Sequence, residues 1–364
     1  MPNDVIGVPV PTLDNHLMLT GSARYLDDIR MEGELVGKLL YSAYPRAIIT
    51  RLEVEAARKT TGVVAVLTHE DIPGENSYLY HTPDQPLLAI DRVNYLGDAI
   101  VAIAAENEEA ARLALDAIKV KYEPLPGVFD PLESMKPGCP RILEDYDNII
   151  PSVSHEIGDI GKGFGDADVI IENVYTTQWI EQAYLEPEGA LAYIDHLGTM
   201  VVYASNQTPH RDRMQIARSL GIPENRVRVI TPFVGGAFGA KDEVHVQIHA
   251  ALLAQATGRP VKILRDREES ILTHVKRHPV IVRHRLGARR DGLITAIQVE
   301  AIADTGPYEN AGRFIMKFAG EIASGPYYVP NAKVDTYAVR TNNPIGGAMR
   351  AFGGPQVCLA YESQ

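Results

Sequence analysis

Two glycine-rich stretches, about 110 residues apart, carry the residue types best suited to cradle and grip a small ligand. The first is Phe233-Val-Gly-Gly-Ala-Phe-Gly-Ala-Lys241, between a β-branched segment and a helical one. Its small residues let the backbone approach a ligand closely, and the N–H groups of a helix start suit an anion such as a phosphate. It matches neither common phosphate motif. A P-loop needs Gly, Lys and then Ser or Thr, whereas Ala240-Lys241-Asp242 stands here. The dinucleotide fingerprint G-x-G-x-x-G is also absent, and Gly161-Lys-Gly-Phe-Gly165 lacks its last glycine. A tight strand-to-helix connection and a ligand cradle both stay open at this point.

The second stretch is Pro344-Ile-Gly-Gly-Ala-Met-Arg-Ala-Phe-Gly-Gly-Pro-Gln356, with Arg350 among four glycines. A planar guanidinium presented there would suit a carbonyl or carboxylate, although composition alone favours a surface arginine in a loop. His245 and His249 stand at i and i+4 on an expected helix, but no Glu follows the first and no third ligand has zinc-like spacing. His274 and His278 frame a basic THVKRHP segment, read as a strand entry with a solvated face. Glu181, Glu186 and Glu188 are candidates for acid/base work, yet carboxylates so close along a chain are usually solvated. The residues alone thus give two ligand-cradling turns and no complete catalytic set.

The elements that must position these turns fall into two or three domains for 364 residues. Leu35 to Tyr41 and Gly62 to Thr68 read as buried strands. Ala99 to Ala105 is another, followed by a helix with Asn107 as cap and an apolar face of Ala111, Ala114, Leu115 and Ile118. KVKYEP completes a strand–helix–strand unit. Six prolines between Tyr122 and Ser154 mark a linker, so the expected division is residues 1–135, a linker at 136–154, and residues 155–364.

Beyond the linker, strands are expected at Val169 to Tyr175, Ala190 to Ile194, Met200 to Ala204, Val227 to Thr231, Val280 to Arg285 and Leu293 to Ala303. One helix is capped by Thr208, has Pro209 in its first turn and ends at Gly221. A second runs from Asp242 to Thr257 with Val244, Ile248, Ala251 and Leu252 on one face, stopping at Gly258 and Pro260.

Composition excludes whole classes. Thirty-five Lys and Arg against 47 Asp and Glu give a formal charge of −12, which repels phosphate backbones and argues against a nucleic-acid binder. No apolar run approaches the length needed to cross a bilayer, and MPNDVIGVPVPTL has no basic segment leading into an apolar one. Cys139 and Cys358 are too few for a disulfide scaffold or a four-thiolate cluster. A cytoplasmic protein with no cysteine-bound metal of its own is expected.

Taken together, PFVGGAFGAKDE and GGAMRAFGGPQ resemble the paired signatures of the molybdenum-binding large subunit of the xanthine dehydrogenase/aldehyde oxidase family. The resemblance extends in family order over essentially the whole chain: LTGSARYLDDI, SAYPRAIITRLEVEAA, GVVAVLTHEDIPG and RVNYLGDAIVAIAAENEEAARLALDAIKVKYEPLP, then AYLEPEGALAYID, ASNQTPHRDR and KRHPVIVRHRLGA. Within the family, FGAKDE with the KRHP segment looks most like bacterial purine-oxidising members. The resemblance implies an α+β fold, with an N-terminal α/β hammerhead domain followed by the first part of a mixed α/β molybdopterin-binding domain.

It also implies an oxidoreductase that hydroxylates an electron-poor carbon of xanthine or hypoxanthine with water as oxygen source. Molybdopterin with molybdenum, in its cytosine dinucleotide form, is the implied cofactor. Electrons would leave to [2Fe–2S] clusters and FAD on an iron–sulfur subunit and a FAD subunit. By position, Gly235, Gly236, Ala237, Phe238, Gly239, Phe352 and Gly353 fall at the cofactor, with the Phe238 backbone near the metal and no side-chain ligand. Asp242 falls where purine-oxidising relatives bind substrate with Glu, Glu243 stands beside it, and Arg350 falls where they hold a substrate carbonyl and stabilise developing charge.

Two departures qualify the match. Ile180 stands where some relatives place a Gln against the molybdenum, with Gln182 as a substitute close by, and Asp242 is one methylene shorter than the usual Glu. The resemblance implies a catalytic base that is a Glu in a Gly-Glu motif far downstream, roughly twice this chain length from the start, which nothing here supplies. A truncated large subunit, or the first half of a split one that needs a C-terminal molybdenum-binding half, is expected. VCLAYESQ is expected to run as a helix from Gly354-Pro355 with an exposed apolar face. Two alternatives stand beside the purine reading: a hydroxylase of nicotinate or an aldehyde, and a scaffold fragment that binds the cofactor without chemistry.

Overall fold

The computed structural model describes residues 6–364, so the first residues of MPNDVIGVPVPTL lie outside it. The first half of the chain forms β1 (Leu35–Tyr41), β2 (Ala47–Glu53), β3 (Val63–Leu67), β4 (Arg92–Val93), β5 (Ala99–Ala105) and β6 (Lys119–Pro124). β5 is almost wholly buried because it lies between β1 and β3, antiparallel to both, with side chains packed on each face. Asn107 caps the following helix, Glu108–Ala117, by accepting from the Ala110 N–H at 2.9 Å. β6 then leaves this sheet. It pairs with β2, so the strand–helix–strand unit spans two sheets, and β2 and β4 complete the smaller one.

The second half forms β7 (Ile149–Ile157), β8 (Val169–Thr176), β9 (Gly189–Ile194), β10 (Met200–Ala204), β11 (Val227–Ile230), β12 (Val261–Leu264), β13 (Val280–Ala288), β14 (Ile294–Gly306) and β15 (Ala332–Arg340). β7 starts inside the stretch expected to be linker. β12 pairs in parallel with β1, so one seven-stranded sheet, β11-β10-β9-β12-β1-β5-β3, runs through both halves of the chain. At that join β1 comes so close that a Cβ on Gly37 would sit 2.5 Å from the Ile263 side chain. The expected division at residues 136–154 therefore separates stretches of chain that share a sheet. The remaining strands form a second sheet, β7-β15-β14-β13-β8, with the helices Gly312–Glu321 and Gly354–Ser363 on one face.

Three details correct the expectations. The helix expected from Asp242 begins at Gln247 and is buried on every side through Ala254, rather than presenting one apolar face. The glycine turn is thus followed by a short 3-10 turn (Ala240–Asp242), not by a helix N-terminus. Thr208 stands at the start of the Pro209–Leu220 helix, but its hydroxyl makes no cap; it donates to the Asp242 carbonyl at 2.8 Å instead. In the helix from Gly354, Val357 and Ala360 pack into the core and Leu359 is left exposed.

Candidate active site

The two glycine turns meet backbone to backbone. Arg350 N–H donates to the Phe238 carbonyl at 2.8 Å, and a Cβ on Gly239 would stand 2.8 Å from the Ala348 carbonyl oxygen. The contact demands left-handed backbone on both sides. Gly236 (φ +94°), Phe238 (φ +54°) and Gly239 (φ +106°) supply it in the first turn; Ala351 (φ +68°), Phe352 (φ +45°) and Gly353 (φ +94°) supply it in the second. Three non-glycine residues held there mark a site where the surroundings impose a strained backbone.

A pocket of about 590 Å3 opens where the turns meet, lined by Tyr80, Arg211, Phe238, Asp242, Arg350 and Phe352 among others. Asp242 Oδ2 accepts from Tyr80 Oη at 2.8 Å and Arg211 Nη1 at 3.2 Å. The Arg211 guanidinium also lies over the Tyr80 ring, 4.2 Å from its centre. Arg350 is exposed, and among the described residues its guanidinium has no hydrogen bond or ion pair. The turn beneath it is fixed: Arg277 Nη2 donates to the Arg350 carbonyl at 2.8 Å.

Other residues expected at the site lie elsewhere. Gly235 and Gly236 pack against Glu186 and Tyr184 without lining this pocket, and Gly353 abuts the Gly312–Glu321 helix, where a Cβ would meet the Ile315 carbonyl at 2.6 Å. Ala237 also stays off the pocket, its carbonyl accepting from Ala240 N–H. Glu243 is buried behind it. Ile180 is 39% exposed, whereas Gln182 is buried and donates from Nε2 to the Ala348 carbonyl at 3.0 Å.

The buried charges around the turns overturn the solvated readings. Glu186 Oε2 accepts from Gly235 N–H (2.7 Å), Ser205 Oγ (2.6 Å) and Lys241 Nζ (3.0 Å), so it anchors the first turn. Lys241 is fully buried over the Tyr184 ring, and burial pulls its ammonium below the usual lysine range. Glu188 is 1% exposed and faces Arg265 at 3.9 Å. The THVKRHP segment is buried too: His274 Nε2 lies 2.5 Å and Lys276 Nζ 2.7 Å from the Glu181 carboxylate. Burial pushes Glu181 up, but these two partners win and hold it down to about 2.

His245 and His249 are buried, and each Nε2 sits on a backbone carbonyl, of Ala240 at 2.8 Å and Leu87 at 2.9 Å. Among the described residues no three His, Cys, Asp or Glu side chains gather as a metal site. Tyr80, Arg211 and Lys241 were missed as site residues. Their only signal is position, with Lys241 at the end of the glycine stretch and Arg211 in the first turn of a Pro-initiated helix.

An anionic, backbone-bound cofactor fits this cradle. The N–H groups of Gly236, Ala237, Phe238 and Gly239 have no acceptor among the described residues, and the turn carries no side chain able to block approach beyond Phe238. A group held this way needs no protein thiolate, in keeping with two free cysteines elsewhere.

The family model described as "Molybdopterin cofactor-binding domain" matches residues 143–364, and "Aldehyde oxidase and xanthine dehydrogenase, a/b hammerhead domain" matches residues 20–126. The chain is 41% identical to a probable xanthine dehydrogenase subunit of Bacillus subtilis, over 96% of this chain and 47% of that protein. It is 38% identical to the nicotinate dehydrogenase large molybdopterin subunit of Eubacterium barkeri, over 99% of this chain and 84% of that subunit. The aldehyde oxidoreductase structure from Desulfovibrio desulfuricans superposes with a TM-score of 0.94 at 27% identity, over 100% of this chain and 42% of that one. The chain thus spans about half the length of the Bacillus relative and most of the Eubacterium one. It belongs to the xanthine dehydrogenase/aldehyde oxidase family and joins that family's hammerhead domain to its molybdopterin-binding domain.

Proposed function

We propose that this chain is the cofactor- and substrate-binding part of a molybdenum hydroxylase acting on an N-heterocycle, with xanthine or hypoxanthine as the substrate class. One observation carries the reading: Arg350, with an uncommitted guanidinium, and Asp242 line the same pocket beside the strained Phe238 turn. When bound, molybdopterin supplies the route for an oxygen from water and takes up the two electrons. The chain's own residues bind and orient. The Gly236 to Gly239 N–H groups hold the cofactor's anionic edge. Arg350 donates to a ring carbonyl oxygen and favours the negative charge that builds there as the ring is attacked. Asp242, with Oδ2 already bonded to Tyr80 and Arg211, keeps Oδ1 for a ring N–H. Phe238 and Phe352 offer aromatic faces to a planar substrate.

The cytosine dinucleotide form of the cofactor, a cytoplasmic location, and iron–sulfur, FAD and C-terminal molybdenum-binding partners are part of the same proposal. The catalytic base is assigned to that C-terminal half. Nicotinate is the second reading, supported by the Eubacterium relative and by the suitability of Arg350 for a carboxylate.

Substrate-dependent dye reduction by the native assembly tests this, with xanthine, hypoxanthine, nicotinate and an aldehyde compared side by side. Arg350→Met is expected to lower kcat/KM for the preferred heterocycle about 100- to 1,000-fold, the range for removing one charge-stabilising donor. The aldehyde, with no second oxygen to hold, should lose far less. Equal losses on all substrates, or none, would show that Arg350 does not grip the ring.

A further inference from the structure

Behind the pocket, Glu243 lies between the two turns. It is 4% exposed, its Oε1 accepts from the Ala348 N–H at 3.1 Å, and a Cβ on Gly347 would sit 2.7 Å from the same oxygen. Gln182 holds the carbonyl of that same Ala348. One residue, two before Arg350, is thus clamped at both its polar backbone atoms. Glu243 Oε2 is buried with no partner among the described residues, and Glu243 is one of the residues lining a cavity of about 30 Å3. That volume holds about two waters.

The charged and titratable groups around Glu243 leave a carboxylate unpaired. On the pocket side are Asp242, Arg211 and Tyr80, and Arg211 is already bonded to Asp242. Around the cavity are Tyr41, Tyr78, Tyr95, His245, His249 and Arg265; Arg265 lies 3.9 Å from Glu188, leaves Nε and Nη1 without a hydrogen-bond partner among the described residues, and forms no ion pair with Glu243. Burial lowers the histidines to about 3 and about 4, so both are uncharged near neutrality.

We propose that Glu243 is a positioning residue that works as an uncharged acid: one oxygen holds the Ala348 N–H, the other carries the acid hydrogen in place of a cation partner, and the turn bearing Arg350 keeps its place against Phe238 only in that form. Burial, with Asp242 adding to it, pushes Glu243 up to about 8, which agrees with the geometry. The sign follows from linkage. The closed turn favours the protonated acid, while an opened turn returns the group toward its ordinary 4.5. The closed form is therefore fully favoured at low pH and loses its advantage as pH rises toward 8, by up to about tenfold per unit.

The effect on turnover rests on the role proposed for Arg350, but the positioning itself is measured without substrate. Amide hydrogen exchange of the 344–353 segment, in the native assembly and corrected for intrinsic rates, is followed from pH 5 to 9. Protection should fall with pH toward 8 in the native protein and stay level in Glu243→Gln, whose amide oxygen can accept from Ala348 and which stays uncharged at every pH. Asp98 and Asp212, raised to about 7 by burial, titrate in both proteins and cancel in the comparison. Gln182→Met, which removes the other clamp, should lower protection at all pH values without changing the slope. A flat native profile, or the same slope in Glu243→Gln, would overturn the proposal.

Discussion

The two glycine turns of the site are held by different means. The Gly235 to Gly239 turn is anchored by a charge pair, Glu186 with the fully buried Lys241, reinforced by Ser205. The turn of Ala348 to Arg350 is anchored without an ion pair: Gln182 donates to the Ala348 carbonyl, Arg277 donates to the Arg350 carbonyl and, on our proposal, an uncharged Glu243 accepts from the Ala348 N–H. The difference shows that burial and partners together set the state of an acid. Glu181, partly buried but bonded to His274 and Lys276, is held down to about 2, while Glu243, with no cation to itself, rises to about 8. A charged anchor is rigid and intolerant of losing one member. A neutral one yields to pH.

The comparison breaks first at Lys241. Lys241→Met keeps the stem but leaves the Glu186 carboxylate without its cation, and it should destabilise the protein by about 3–5 kcal/mol, as for other broken buried pairs. A urea midpoint shift worth less than about 1 kcal/mol would mean that Glu186 is better solvated than its bonds suggest. A smaller effect is expected where the turns touch. Gly239→Ala forces φ +106° on a residue with a Cβ and pushes that atom to 2.8 Å from the Ala348 oxygen. It should cost about 1–3 kcal/mol in thermal stability, and it should lower kcat/KM more than that loss of fold accounts for. Unchanged kinetics would show that turn spacing is not critical.

Much of the fold was legible because its signals are local. β5 and its Asn107-capped helix declare themselves by an apolar run and a 3.6-residue period within 20 positions. β7 was hidden because Pro151 sits inside it, tolerated only because β7 is the edge strand of its sheet and the register shifts at that point. The β1–β12 join links residues more than 220 apart, and no local pattern announces such a pairing. The glycine turns were legible for the same local reason. Their anchors were not: Glu186 finds Lys241 55 residues on, and Glu181 finds His274 93 residues on, so two acids that look solvated in the chain are held by distant basic side chains in the fold.

On the proposed function the labour divides between the turns, the first holding the cofactor and the second holding the substrate. Molybdenum content of the purified native assembly tests that division most directly, measured for the unaltered protein, Gly236→Val and Arg350→Met. Gly236→Val strains a φ of +94° in the proposed cradle without touching the Arg350 turn. We expect about one molybdenum per chain in the unaltered protein and in Arg350→Met, and a small fraction of that in Gly236→Val. Stoichiometric zinc with no molybdenum in the unaltered protein, or metal retained in Gly236→Val and lost in Arg350→Met, would contradict it.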